Sequence, residues 1–341
     1  MIGTLAKRHP AAIQFCSCLF LLIALLGCSK SNLGLKDTPA ITEESWRSNI
    51  IAPAEYIEAL EQSSLIYLER DDNVQIPVRV FGEEGENYPV VFTHGLQSHS
   101  AWFSLSASLL AERGHPVYVF DRSGSGLSAA PRGDIKDFKL WAKEISEVAE
   151  YALARHGYDR HLLVGHCFGA IPATVYAYLY PGKVQALVLT TPAFYTRTSI
   201  PFSDILRIGF SKSGERDFLV PVMLQPELFS ELDEYEVFIE SDTLALRAAT
   251  GDFYYQVNEA RKFITRQVDL LKVPLFVALA GEDRIGDNRK NEKFFDKIPY
   301  PDKTLVTYED ARHILEYSPE RQRFFTDLLN WLNERDEFVH H

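Results

Sequence analysis

From about residue 50 onward, short apolar runs alternate with longer amphipathic stretches, the pattern of βαβ units that build a mostly parallel sheet. Ser64 to Glu69 and Gln75 to Phe81 predict an opening hairpin. Val90 to Thr93, Val117 to Phe120, Leu162 to Val164, Ala186 to Leu189, Leu275 to Ala278 and Thr304 to Tyr308 predict the strands that follow. These six are rich in Val, Leu and Phe without strict polar alternation, as strands buried on both faces are. Leu140, Trp141, Ile145, Val148, Ala149 and Ala152 recur at helical spacing within Asp137 to His156, and Phe168 to Tyr180 and Pro319 to Asn333 predict two more helices.

The interval between Leu189 and Leu275 is too long for an ordinary connection and predicts an inserted cap. Its first part, Thr198 to Phe229, carries Ile200, Phe202, Ile205, Leu206, Ile208 and Phe210 among others, more apolar surface than a solvated loop tolerates. Most of these side chains pack the cap on the body, and a minority suffices to line an acyl pocket. The second part, Thr243 to Gln267, reads as one helix. The resulting expectation is a single α/β core over 50–192 and 272–338, interrupted by a cap over 193–271.

The N-terminus follows different rules. Lys7 and Arg8 lead into an apolar run, Ala11 to Gly27, that closes on Leu25-Leu26-Gly27-Cys28. The run is short for a membrane span, which needs ~20 apolar residues. Leu-Leu-Gly-Cys resembles the lipobox of bacterial lipoproteins. That resemblance implies a signal segment over 1–27, lipidation of Cys28, a polar tether over 28–49 and a chain anchored in the bacterial cell envelope. Ser29 after the cysteine implies the outer membrane. Cleavage would remove Cys16 and Cys18 and consume Cys28, leaving Cys167 as the only free thiol and no disulfide.

Composition narrows the function classes. The 341-residue chain is 46% hydrophobic with a net charge of −12, and loss of Lys7 and Arg8 would take it to −14. Nucleic acid is thereby excluded as an expected partner, and contact with a membrane falls to the anchor.

The chemistry is carried by loops at the carboxyl ends of the strands. Leu162-Leu163-Val164 runs into Gly165-His166-Cys167-Phe168-Gly169 and then a helix, the strand-turn-helix context of a nucleophile elbow. An elbow aims its central side chain at a helix N-terminus, where backbone N–H groups stabilise an anion. Asp283 follows the penultimate strand and His313 the last one, in the order nucleophile, acid, histidine, with Asp287 as the fallback acid. Backbone N–H groups of Leu96 and Phe168 are the candidate oxyanion donors, and His94 is assigned to holding the loop. The glycines in Phe120 to Ser128 lack the spacing of a dinucleotide site and read as a tight turn. No metal and no cofactor is expected.

The order His94-Gly95, Asp121-Arg122-x-Gly124-x-Gly126-x-Ser128, the elbow, Gly281-x-Asp283-Arg284 and Ala311-Arg312-His313 resembles the lysophospholipase and monoacylglycerol-lipase branch of the α/β hydrolases, over residues 60 to 335 and including the cap. The resemblance implies the α/β-hydrolase fold, Cys167 as nucleophile, Asp283 as acid, His313 as base and a hydrophobic acyl ester as substrate. That branch carries serine at the elbow, whereas cysteine elbows occur in the dienelactone hydrolases and polyhydroxyalkanoate synthases. A thioester intermediate can pass its acyl group to water or to another acceptor, so hydrolase and acyltransferase are both open. A binding lipoprotein without catalysis is the rival from another class.

Overall fold

The structure is a computed structural model describing residues 41–212 and 214–336. The signal segment and Cys28 lie outside the described residues. Eight strands form the main sheet: β1 (Ser64–Glu69), β2 (Gln75–Phe81), β3 (Val90–Thr93), β4 (Val117–Phe120), β5 (His161–His166), β6 (Val184–Thr190), β9 (Leu275–Ala280) and β10 (Lys303–Tyr308). Their order is β1-β2-β4-β3-β5-β6-β9-β10, with β2 antiparallel to both neighbours and every later pairing parallel.

Successive residues of the central strands feed opposite faces, which is why these segments read as continuous apolar runs. Val91, Leu163, Leu187 and Leu275 pack under α4 (Lys139–His156) and α5 (Ala170–Leu179), against Trp141, Ile145, Ile171 and Tyr176. Val90, Phe92, Leu162, Val164 and Phe276 pack on the other face against α3 (Ser104–Glu112) and α10 (Arg321–Asp336), through Ala107, Leu110, Phe324 and Leu328. α4 stops at Gly157, whose φ of 72° closes the helix in the left-handed region. α9 (Asn288–Asp296) follows β9 and adds Phe294 to the first face. Among the described residues no helix is long and apolar enough to cross a membrane.

The cap departs from the sequence reading. Thr243 to Gln267 is not one helix: residues 242–247 turn, β8 (Ala248–Thr250) pairs antiparallel with β7 (Leu219–Pro221), and only then does α8 (Gly251–Arg266) begin. The Thr250 hydroxyl caps α8 by accepting from Phe253 N at 3.1 Å, so the helical pattern is cut where a strand partner from the first half of the cap becomes available. α6 (Phe202–Phe210) and α7 (Asp233–Ser241) supply the remaining cap helices.

Residues 41–49, expected as part of the tether, are instead folded onto the body. α1 (Glu43–Arg47), capped by Thr42, and α2 (Ala54–Glu61) pack on the body. Glu43 receives both Nη1 and Nη2 of buried Arg79, at 2.9 and 2.6 Å. Trp46 is buried, and its Nε1 donates to Asp242 Oδ1 at 2.8 Å. That carboxylate also receives Trp102 Nε1 at 2.6 Å, His99 Nε2 at 2.9 Å and Leu244 N at 2.9 Å. Burial works against the Asp242 charge, but these donors outweigh it and hold its pKa down at about 2.

Asp242 therefore joins the N-terminal segment, the loop after β3 and the cap. Asp242→Ala would strand two indole N–H groups and a histidine nitrogen in a dry site, at a cost of about 1–3 kcal/mol for each orphaned donor. We expect urea unfolding to shift to a midpoint corresponding to a loss of about 3 kcal/mol or more. An unchanged midpoint would show that the cluster is energetically idle.

Candidate active site

β5 delivers the chain to Cys167, whose φ of 53° lies in the region that L side chains rarely adopt. A single 3-10 turn, Cys167–Gly169, follows and then α5. The flanking glycines are fixed by close approach. A Cβ at Gly165 would lie 2.8 Å from Gly169 O, and one at Gly169 would lie 2.2 Å from Thr93 O. The elbow is thus pressed directly onto the end of β3, and Ala193 N donates to Cys167 O at 3.0 Å from the loop after β6. Cys167 is buried and is the only free cysteine among the described residues.

The structure brings Asp283 and His313 together beside this turn. His313 Nδ1 lies 3.0 and 2.9 Å from the two Asp283 oxygens. Asp283 Oδ1 also accepts from Ile285 N and Gly286 N, each at 2.8 Å, which fixes the carboxylate before the histidine arrives. Asp287 is elsewhere: it caps α9 by accepting from Lys290 N at 3.2 Å and pairs with the Lys290 ammonium. A ring nitrogen of His313, one of His166 and Cys167 Sγ all lie within 4.8 Å of one another, and among the described residues this is the one such group that could hold a metal ion. His313 Nε2 is buried and meets no hydrogen-bond partner of standard geometry among the described residues.

Electrostatics set the proton's resting place. Burial disfavours a charged His313, but the Asp283 carboxylate and then the Cys167 sulfur outweigh it and push the imidazole up to about 10. Burial also works against the Asp283 charge, yet His313 and two backbone N–H groups leave its carboxyl below the usual range. His166, in contrast, is held neutral by burial and by its neighbour His313. Its Nδ1 meets Thr190 Oγ1 at 3.0 Å. Thr191, at φ 41°, donates its hydroxyl to His313 O at 2.9 Å, so a strained residue at the end of β6 holds the histidine loop.

On the other side of Cys167, a Cβ at Gly95 would come within 3.3 Å of Cys167 Cβ. His94 Nδ1 meets Gly95 O at 2.9 Å, and its Nε2 accepts from Arg122 N at 3.4 Å, so the ring ties two loops together. Burial and the Arg122 guanidinium push its pKa well below the usual value, leaving a neutral ring. The sequence did not single out Arg122. Its Nη2 donates to Leu96 O at 2.7 Å and Gly95 O at 3.3 Å, and the guanidinium lies 4.8 Å over the Phe168 ring. A trans peptide points its C=O and N–H in opposite directions, so holding Gly95 O toward Arg122 turns the Leu96 N–H away from it. The Phe168 N–H sits in the first turn after the elbow, where helical N–H groups have no intrahelical partner. The loop after β4 is the tight turn expected: Asp121 accepts from Ser100 N and Leu127 N, and Gly124 and Gly126 take positive φ.

Cys167, Leu96 and Phe168 line a cavity of about 690 Å³. Ile205 and Ile208 of α6, Met223 and Leu224 after β7, and Phe253 and Val257 of α8 form its apolar walls. This volume falls within the range of small-molecule sites, and all three of these walls come from the cap.

The Hydrolase_4 family (serine aminopeptidase, S33) matches residues 87–320, more than half of the chain and a span that includes Cys167, Asp283 and His313. The chain belongs to the Hydrolase_4 family. It is 23% identical to human monoglyceride lipase over 83% of this chain and 95% of that protein. It is also 23% identical to a probable lysophospholipase L2 of Haemophilus influenzae, over 83% of this chain and 96% of that one. Against a longer relative it spans only 26% of the length. The crystal structure of Paleococcus ferrophilus monoacylglycerol lipase superposes with a TM-score of 0.68 at 24% identity, covering 76% of this chain and 99% of that one. The fold is the α/β-hydrolase fold.

The His313 shift in this Hydrolase_4 chain carries a sign. A group raised in the folded state stabilises it fully below its unfolded pKa of about 6.5, and this contribution is lost as pH rises through the folded value of about 10. Asp283→Asn removes the main cause of the shift. The excess stability of wild type over Asp283→Asn is therefore expected to be greatest below pH ~6.5 and to shrink steadily towards pH ~10 in urea melts. A difference that stays constant over that window would contradict the assignment.

Proposed function

We propose that the chain hydrolyses carboxylic esters of hydrophobic acyl groups through Cys167, His313 and Asp283. The carrying observation is the assembly of a sulfur, a carboxylate-bound imidazole and a strained elbow at the floor of an apolar cavity. Membership of the Hydrolase_4 family and similarity to proteins named as lipases support the same reaction class.

In this mechanism His313 takes the thiol proton and the Cys167 thiolate attacks the ester carbonyl carbon. The Leu96 and Phe168 N–H groups hold the developing oxyanion. His313 then protonates the departing alcohol as the C–O bond breaks, leaving an acyl thioester. A water molecule gives its proton to His313 and attacks that thioester, releasing the carboxylic acid and restoring the thiol. Asp283 orients the imidazole and balances its charge throughout. His94 and Arg122 act at one remove, through the Gly95 and Leu96 carbonyls.

The test uses p-nitrophenyl esters from butyrate to decanoate. Turnover efficiency is expected to rise with chain length, since each buried methylene contributes about 0.8 kcal/mol. Cys167→Ala is expected to lower kcat by about 10⁴-fold or more, and quenched wild type should carry one acyl mass on Cys167. No burst, no turnover and no adduct would sink the reading. An adduct resolved only by an added alcohol would reassign the chain to acyl transfer.

The proposal includes anchoring through Cys28 in the bacterial envelope, resting on Leu25-Leu26-Gly27-Cys28. Labelled palmitate fed to expressing bacteria should enter the wild-type chain and not Cys28→Ser. Equal labelling of both would remove the anchor.

A further inference from the structure

Tyr254, Val257, Asn258 and Arg261 recur at helical spacing on α8, and all four line the cavity that contains Cys167. Three of them suit an amphiphile's apolar or neutral parts. Arg261 does not. It is half-buried, and among the described residues its guanidinium has neither an ion pair nor a hydrogen bond. Its one aromatic contact is the Tyr195 ring, 5.3 Å from the guanidinium. Burial pushes its pKa down, and the Tyr195 hydroxyl is the group that opposes this.

The other cation that lines the cavity is neutralised, and so is a cation near it. Lys262, on the same cavity wall, pairs with Glu259 at 2.7 Å. Arg216, stacked 3.9 Å over Tyr255, faces Asp252 at 3.7 Å. Across the cavity α6 brings one acid, Asp204, whose field is felt at Tyr254 near the other end of the stripe. Of the two cations lining the cavity, Arg261 is therefore the one that meets no carboxylate among the described residues. Desolvating a guanidinium without a partner is costly, and a bound anion would relieve that cost.

Its position separates it from the chemistry. Phe253 packs 5.3 Å from the Phe168 ring at the elbow, and Arg261 lies eight residues further along α8, about 12 Å at 1.5 Å per residue. The cation is therefore placed to hold a second group on the substrate and not the ester itself.

We propose that Arg261 makes this cavity selective for an anionic amphiphile, an ester whose alcohol or acyl portion also carries a phosphate or carboxylate. This specificity assignment rests on the ester-hydrolase reading for its substrate, but the binding it describes stands without turnover.

The test begins with Cys167→Ala protein titrated calorimetrically with octyl phosphate and with monooctanoylglycerol. Octyl phosphate is expected to bind at least ten-fold more tightly. Adding Arg261→Gln should abolish the preference, while Arg261→Lys should keep part of it because the charge remains. No preference in Cys167→Ala, or one that survives Arg261→Gln, overturns the assignment.

Turnover by wild type then locates the anion. A lysophosphatidic acid compared with its monoacylglycerol reports a charge on the alcohol side. The p-nitrophenyl monoester of dodecanedioic acid compared with p-nitrophenyl dodecanoate reports one on the acyl side. In whichever pair the anion raises kcat/KM, Arg261→Gln should lower that ratio about ten-fold. If no ester is turned over while the binding preference holds, the catalytic reading falls and the Arg261 assignment stands.

Discussion

The end of β5 must turn into α5 while pressed against the end of β3, and there is no room for a side chain at either flank of that turn. Thr93 O lies where a Gly169 Cβ would be, and Gly169 O lies close to where a Gly165 Cβ would be. Because Thr93 pairs with Gly165 in register, the loops after the two strands leave the sheet side by side. One loop carries Cys167, and the other carries Gly95 and Leu96. The positive φ at Cys167 follows from the same crowding. A non-glycine residue in that region costs of order 1–3 kcal/mol, and the surrounding β3, β5 and α5 packing is what holds it there.

From that contact the remaining parts are placed in sequence. Phe168, next to Cys167, packs 4.9 Å from Trp141 of α4 and 5.3 Å from Phe253 of α8, so the cap and the body meet at the elbow. Arg122 lies over Phe168 and grips the Gly95 and Leu96 carbonyls, which couples the elbow to the neighbouring loop through a buried cation. At the far end of the loop after β3, His99 and Trp102 reach Asp242, and through it Trp46 of α1. Asp242 is a buried anion on which ring and backbone donors converge, and Arg122 is a buried cation that donates to backbone carbonyls. Removing the partners of such a charge leaves it buried and uncompensated, which is strongly destabilising.

The sheet was legible because burial on both faces writes itself into consecutive residues: Val90 to Thr93 and Val117 to Phe120 are strands to the residue. The Cys167, Asp283 and His313 set was legible because topology puts the carboxyl ends of β5, β9 and β10 together, and chain order alone predicts their meeting. What escaped depends on partners far away in sequence. Residues 41–49 look like tether until Trp46 finds Asp242 and Glu43 finds Arg79. Ala248–Thr250 has helical neighbours on its C-terminal side and becomes a strand only because Leu219–Pro221 is beside it. Arg122 and Thr191 sit in motifs that read as turn and strand end, and their roles lie in carbonyls they hold, which no side-chain pattern records.

The cysteine changes what such a site asks of its histidine. Although burial disfavours the charged ring, Asp283 and then the Cys167 sulfur raise His313 above the usual imidazole value, which favours its taking up a proton beside the sulfur. In the proposed reaction the proton that His313 takes from the Cys167 sulfur is the one it later gives to the departing alcohol. The Asp283 carboxylate, pinned by two backbone N–H groups, then favours the charged ring as well as orienting it. In the proposed reaction the demanding step moves from making the nucleophile to resolving the thioester, where water must reach a buried sulfur under the cap. In that reading the cavity walls supplied by α6 and α8 bear on which acceptor reaches the thioester, and Phe253 of α8 ties those walls to the elbow.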